Sequence, residues 1–205
     1  MTINKSPLSL VLASSSPYRR QLLERLGLEF AAVSPEIDES PLKQETPHAL
    51  VARLAKQKAE ALTGNYPEHL IIGSDQVATC EGLVLGKPHN EENACTQLRS
   101  FSGKTVTFLT SLCVLNSCTG EADVIVEPFK VVFRDLTDQE ISNYVKKEQP
   151  LNCAGSFKSE NLGIALFERM EGDDPNSLIG LPLIQLLRLL RRWNVNPLSD
   201  SRQGV

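Results

Sequence analysis

The chain has 205 residues, 41% of them hydrophobic, which is ample for a sizeable core and excludes the composition of a disordered segment. A formal net charge of −4 and an isoelectric point near 5.5 argue against a broad nucleic-acid surface, so any polyanion handled here is expected to be small and held by a local basic cluster. Five cysteines with no CxxC pair and three scattered histidines argue against a zinc site and point to reduced thiols, hence a cytoplasmic location.

At the N-terminus, the apolar run Leu8–Ala13 within "KSPLSLVLASSS" is too short for a secretory leader and is interrupted by Ser9, so it is predicted as a buried first strand. A helix follows. Ser16 suits its N-cap and Pro17 its first turn, Leu22, Leu23 and Leu26 make an apolar stripe, and Gly27 can close it. Arg19 and Arg20 then stand at the helix end whose dipole disfavours cations. Either both reach into solvent, or an anion is held jointly by the helix N–H groups, the hydroxyls of Ser14 to Ser16 and a guanidinium. The usual glycine-rich phosphate loops, GxxxxGK[ST] and GxGxxG, do not occur.

Thr46 and Pro47 start a helix predicted to reach about Leu62, with Gly64 as a stop. Val51, Leu54, Ala55, Ala59 and Leu62 share one stripe, and Lys58 falls among them while Lys56 lies on the opposite face. Lys58 therefore either snorkels past the core or enters a cleft beside the first loop. "HLIIGSDQVATC" predicts a buried strand broken at Gly73, which puts Asp75 where strand ends collect ligands. An ionised group beside so apolar a run needs a partner, and "PEIDES" supplies Glu36, Asp38 and Glu39, one of which can share a hard cation with Asp75 through oxygen ligands.

"GKP" places Lys87 in a rigid turn, and Asn90 caps a helix to about Arg99. "KTVTFLTSLCVLN" and "ADVIVEPFKVVFR", joined by "SCTGE", predict an antiparallel pair and so a mixed sheet. Thr137 and Glu140 form a capping box for a helix through Lys147, after which "NCAGSFKSENLGIALFERMEG" offers Lys158 and Glu160. The leucine-rich "LIGLPLIQLLRLLRR" is shorter than a membrane span and carries arginines, which suits a core-packed terminal helix. No repeat or linker divides the chain, so residues 1–205 read as one unit. Arginines at a helix start, two lysines able to enter a cleft and carboxylates suited to Mg²⁺ are together the parts needed to bind a triphosphate and direct water at phosphorus.

The ordered motifs "LASSSPYRRQLL", "EIDES", "RLAKQKA", "GSDQV", "GKP", "EENACTQLRSFSG", "YVKKEQPLNCAGSF" and "GLPL" resemble the Maf family of nucleoside triphosphate pyrophosphatases from about Leu8 to Leu198. The resemblance implies a two-lobed α/β fold with a central mixed sheet, like that of inosine triphosphate pyrophosphatases, and a nucleotide cleft. It implies hydrolysis of a triphosphate to monophosphate and pyrophosphate with Mg²⁺ or Mn²⁺, and a homodimer, while the net charge and the short apolar runs lead one to expect no nucleic-acid polymer or membrane as partner. By motif, Ser14, Arg19, Lys58 and Lys87 bind phosphates, Glu39 and Asp75 hold metal, and Asp75 is the general base. Tyr18, Gln76 and Glu160 stand where pyrimidine-specific members carry Arg, Thr and Gln, and this set resembles the subfamily acting on 7-methyl-GTP, whose cationic ring suits an aromatic face and a carboxylate. Two other readings are a pyrimidine triphosphate pyrophosphatase and a nucleotide-binding regulator of cell division.

Overall fold

The computed structural model describes residues 8–159 and 161–199. The first apolar run forms β1 (Ser9–Ala13), which lies parallel to both β2 (Phe30–Val33) and β3 (His69–Cys80). β3 continues into antiparallel pairing with β5 (Thr105–Asn116), β5 with β6 (Ala122–Phe133), and β6 with β7 (Phe167–Glu171). The short β4 (Leu83–Leu85) returns against the far end of β3 and completes a mixed seven-stranded sheet of order β2-β1-β3-β5-β6-β7. The chain is thus α/β, as expected, and the β5–β6 hairpin turns at the segment read as its connection.

The helices begin where their caps are written. Ser16, Thr46, Asn90 and Thr137 each accept a backbone N–H from three residues on, at the starts of α1 (Pro17–Glu24), α2 (Pro47–Glu60), α3 (Glu91–Phe101) and α4 (Asp138–Glu148). The capping box of Thr137 and Glu140 is complete. The terminal leucine-rich helix is α6 (Leu183–Arg192), which starts directly after Pro182, and a short α5 (Pro175–Ile179) precedes it, ended by Gly180 at φ 130°. Asp174, fully buried, holds both: Oδ1 accepts from Asn176 N at 2.9 Å and Oδ2 from Ile184 N at 2.7 Å. The second bond serves a helix start that Pro182 leaves without a side-chain cap. No helix among the described residues is long and apolar enough to cross a membrane.

The long strands β3 and β5 carry a core at each end. Leu70, Ile72, Leu112 and Val114 pack with Leu22 and Leu23 of α1 and Leu186 and Leu190 of α6, while Ile71, Cys113 and Leu115 on the reverse face meet Ala55 and Ala59 of α2. At the other end Ala78, Val106 and Phe108 pack with Leu98 of α3 and Tyr144 of α4. Between the two cores the strands turn polar: Asp75 pairs in register with Ser111 and Gln76 with Thr110.

β3 is not broken at Gly73. The glycine is there because α2 crosses the strand too closely for a side chain: a Cβ on Gly73 would lie 2.0 Å from the Ala55 carbonyl oxygen. The strand runs on, and Asp75 sits in its middle rather than at an end.

Glu127 of β6 is buried, and its Oε1 has no hydrogen-bond partner. Burial, and then the charges of Asp174 and Asp173, push its carboxyl above its ordinary value of 4.5. Below that value both folded and unfolded chains carry it protonated and nothing is lost. As pH rises the unfolded chain ionises first, so stability falls through the folded-state pKa. Glu127→Gln should therefore raise the melting temperature relative to wild type at pH 7 and not at pH 4, as read by calorimetry at the two pH values. Gly73→Ala should cost about 1–3 kcal/mol in urea unfolding through overpacking, whereas Gly64→Ala, where no atom lies within 4 Å of the new methyl, should stay within about 0.5 kcal/mol.

Candidate active site

The polar middle of β3 and β5 opens onto a cleft of about 600 Å³, within the range of small-ligand sites. Ser14, Tyr18, Arg19, Glu39, Lys58, Asp75, Gln76 and Lys87 all line it. Glu160 lies outside the described residues, although its chain neighbours Lys158 and Ser159 form part of the wall.

Lys58 points inward from α2, as its place in the apolar stripe predicts. Its Nζ lies 2.6 Å from Asp75 Oδ1 and 2.9 Å from Glu39 Oε1. Lys58 and Asp75 are 6% and 8% exposed, so this is a buried pair, whereas the Glu39 side chain is open to solvent. Lys56, on the opposite face, pairs with Glu60 at the surface. Ser111 Oγ joins the elements: it donates to Val51 O of α2 at 2.6 Å and accepts Asp75 N at 3.1 Å.

Of the acidic trio only Glu39 reaches the cleft wall. Asp38 turns back to accept Ser40 N at 2.9 Å, and the Ser40 hydroxyl first, then this backbone N–H, hold its carboxyl below the ordinary value. The irregular segment carrying Glu39 is clamped to α2 by Arg53, which pairs with both carboxylate oxygens of Glu45 and donates to Ser40 O at 3.0 Å. Sequence reasoning passed over Arg53; its place in "RLAKQKA", one helical turn before Gln57, to which it donates, was the available signal.

The two arginines of α1 divide. Arg20 is exposed and pairs with Glu24 at 3.0 Å. Arg19 turns into the cleft wall and donates Nε to Gly180 O at 2.8 Å, the end of α5, where carbonyls carry partial negative charge. Burial pushes its guanidinium down, opposed by the carboxylates of Asp75 and Glu39. It remains a cation with its Nη groups available to an anion. Ser14, nearly buried, accepts Ser16 N at 3.1 Å, which shapes the loop between β1 and α1.

Lys87 projects from a turn pinned to α3, where Asn93 donates to Pro88 O at 3.0 Å and Gln97 to Gly86 O at 3.2 Å. Gln97 also accepts from buried Ser156, so one side chain joins the Lys87 turn to the segment carrying Phe157 and Lys158. That coupling was not visible in sequence, because the partners are far apart along the chain.

No group of three or more histidine, cysteine, aspartate or glutamate side chains gathers to hold a metal among the described residues. Glu39 and Asp75 nevertheless share Lys58 Nζ as a common neighbour, and two carboxylates completed by substrate phosphates are the hard oxygen set that Mg²⁺ takes. The arrangement can hold a polyanion against Arg19, Lys58 and Lys87 while presenting a carboxylate to water.

A family model described as Maf-like protein matches residues 9–193. The chain belongs to that family. Among curated relatives, a Colwellia psychrerythraea protein named 7-methyl-GTP pyrophosphatase is 55% identical over 193 residues, covering 94% of this chain and 96% of its own length. A Nitrosococcus oceani protein of the same name is 57% identical over 187 residues, covering 91% and 94%. The structure of the Staphylococcus aureus Ham1 protein superposes with a TM-score of 0.52 at 12% identity, covering 91% of this chain and all of its own, which establishes a shared fold.

Removing Lys58 leaves Asp75 buried and unpaired. Lys58→Ala should cost about 3 kcal/mol, the lower end for a broken buried pair because cleft water reaches the carboxylate, while Lys56→Ala should stay within about 0.5 kcal/mol. Urea unfolding of both variants checks this, and the Lys58→Ala, Asp75→Ala double variant should be less destabilised than the two single changes add to.

Proposed function

We propose that this chain, acting as one nucleotide pyrophosphatase unit, hydrolyses 7-methyl-GTP to 7-methyl-GMP and pyrophosphate. The observation that carries the reading is the convergence of Arg19, Lys58 and Lys87 with the carboxylates of Glu39 and Asp75 on one cleft. The named relatives support the choice of substrate.

Three cations and the hydroxyl loop at Ser14 can hold the triphosphate and neutralise the charge that builds on the leaving pyrophosphate. Asp75 gives Oδ1 to Lys58, which leaves Oδ2 to take the proton of a water attacking the α-phosphorus as the bond to the β-phosphate breaks. Its backbone is fixed by Ser111, so the carboxylate keeps its aim. Glu39 and Asp75 would hold a Mg²⁺ or Mn²⁺ ion, which supplies Lewis-acid polarisation of the phosphate oxygens when bound. Tyr18, at the mouth of the cleft, offers a ring face to the cationic base, and Glu160 belongs to the same recognition set by motif.

Asp75→Asn keeps the shape and removes the proton acceptor. Pyrophosphate release from 7-methyl-GTP with Mg²⁺ should fall by about 10²- to 10⁴-fold, while nucleotide binding measured by calorimetry persists. Across 7-methyl-GTP, GTP, UTP and dTTP, kcat/KM of the wild type should be highest for the methylated nucleotide, with GTP second. Preference for UTP or dTTP would refute the assigned base.

A further inference from the structure

Gln76 lines the cleft, and the orientation of its amide is fixed by its surroundings. Nε2 lies 2.8 Å from Thr110 Oγ1, 2.8 Å from Ser177 O and 3.2 Å from Leu178 O. Backbone carbonyls can only accept, so the NH₂ edge must face α5. Thr110 is fully buried and donates its own proton to Ser177 O at 2.8 Å, which leaves only lone pairs for Gln76. A flipped amide would set Oε1 against the carbonyl oxygens of Ser177 and Leu178, and the single Thr110 proton, given to Ser177 O, cannot serve all three acceptors. Those carbonyls cannot drift easily, since Asp174 caps α5 at its start and Arg19 Nε and Ser74 Oγ both donate to Gly180 O at its end.

We infer that Thr110 is a positioning residue, which locks the Gln76 amide with its NH₂ edge on α5 so that Oε1 alone meets the substrate and accepts an N–H of the base. The inference rests on the nucleotide reading above and deepens it. An acceptor at this point favours bases with a donor edge, such as the ring N–H and exocyclic amine of a guanine, and disfavours a base that turns only acceptors toward it. Thr110 lies outside the cleft wall and reaches it through Gln76.

The test compares Thr110→Val, which keeps the shape and loses the hydroxyl, with Thr110→Ser, which keeps the hydroxyl, using 7-methyl-GTP, GTP and UTP with Mg²⁺. Thr110→Val should raise KM for 7-methyl-GTP by about three- to tenfold with kcat changed less than about twofold, and Thr110→Ser should restore the wild-type KM. An unchanged KM in Thr110→Val, equal losses in both variants, or a fall in kcat of the same size on every triphosphate would overturn the inference. Should Thr110→Val not fold, the wild type decides: the Gln76 side-chain amide protons, assigned in NMR spectra by their loss in Gln76→Ala, should exchange slowly with solvent, and exchange at the rate of a surface glutamine overturns the lock. A wild type that prefers UTP refutes the assigned base instead. The Thr110 comparison is then read on UTP, whose ring N–H the same oxygen would accept.

Discussion

Lys58 and Asp75 face each other at 2.6 Å across the contact of α2 with β3, both almost closed off from water. Such a pair tolerates its loss of hydration only when the charges are held in good geometry and their remaining valences are met. Each neighbouring feature serves that end. Gly73 lets the α2 backbone come down onto the strand, Ser111 ties the carbonyl of Val51 to the amide of Asp75, and Glu39 gives the lysine a second carboxylate from the solvent side. Charge balance at the cleft floor is therefore a product of backbone spacing, set by residues that carry no charge.

The opposite wall is organised by carbonyl groups. Helix α5 offers Ser177 O and Leu178 O to Gln76 and Thr110, and Gly180 O to Arg19 and Ser74. A short helix presenting its C-terminal carbonyls is a suitable counterpart for an arginine at the start of another helix, because the two partial charges that α1 and α5 leave at their ends are opposite in sign. The placement that looks unfavourable within "SSSPYRRQLL" becomes favourable once α5 is opposite it. Arg20, one residue on, has no such counterpart and makes an ordinary surface pair.

Much of this was legible in the chain. The caps at Ser16, Thr46, Asn90 and Thr137, the single face of α2 that carries Lys58, and the β5–β6 hairpin follow from local patterns that tertiary structure did not override. Gly73 was misjudged because a glycine that interrupts a strand and a glycine that admits a helix against it look the same in one dimension. Within the acidic trio only the motif resemblance singles out Glu39; local pattern does not, since the segment has no period and Arg53 sets its path from another element. The separate α5 was announced by Asp174 and Pro175 as cap and first residue, a signal obscured by the leucines beyond it. The hydrogen bonds of Gln76 join strands and helix about a hundred residues apart in the chain, where sequence spacing carries no information.

The unbroken course of β3 and β5 through the polar middle of the sheet has a mechanical consequence. Their antiparallel ladder runs without interruption from the Leu70–Asn116 pair to the Cys80–Val106 pair, so the cores at its two ends belong to one stiff plank. Rotation of one core against the other would have to shear that ladder at Asp75 and Gln76, where the charges must stay aligned. The segments on the rim, the stretch from 34 to 46 that carries Glu39 and the stretch from 150 to 159 that carries Lys158, lie outside that ladder and are held to neighbouring helices by side chains, Arg53 of α2 for the first and Gln97 of α3 for the second. Asp75 and Gln76 are thus mounted on backbone that the ladder fixes, while Glu39 takes its position from one arginine's side chain.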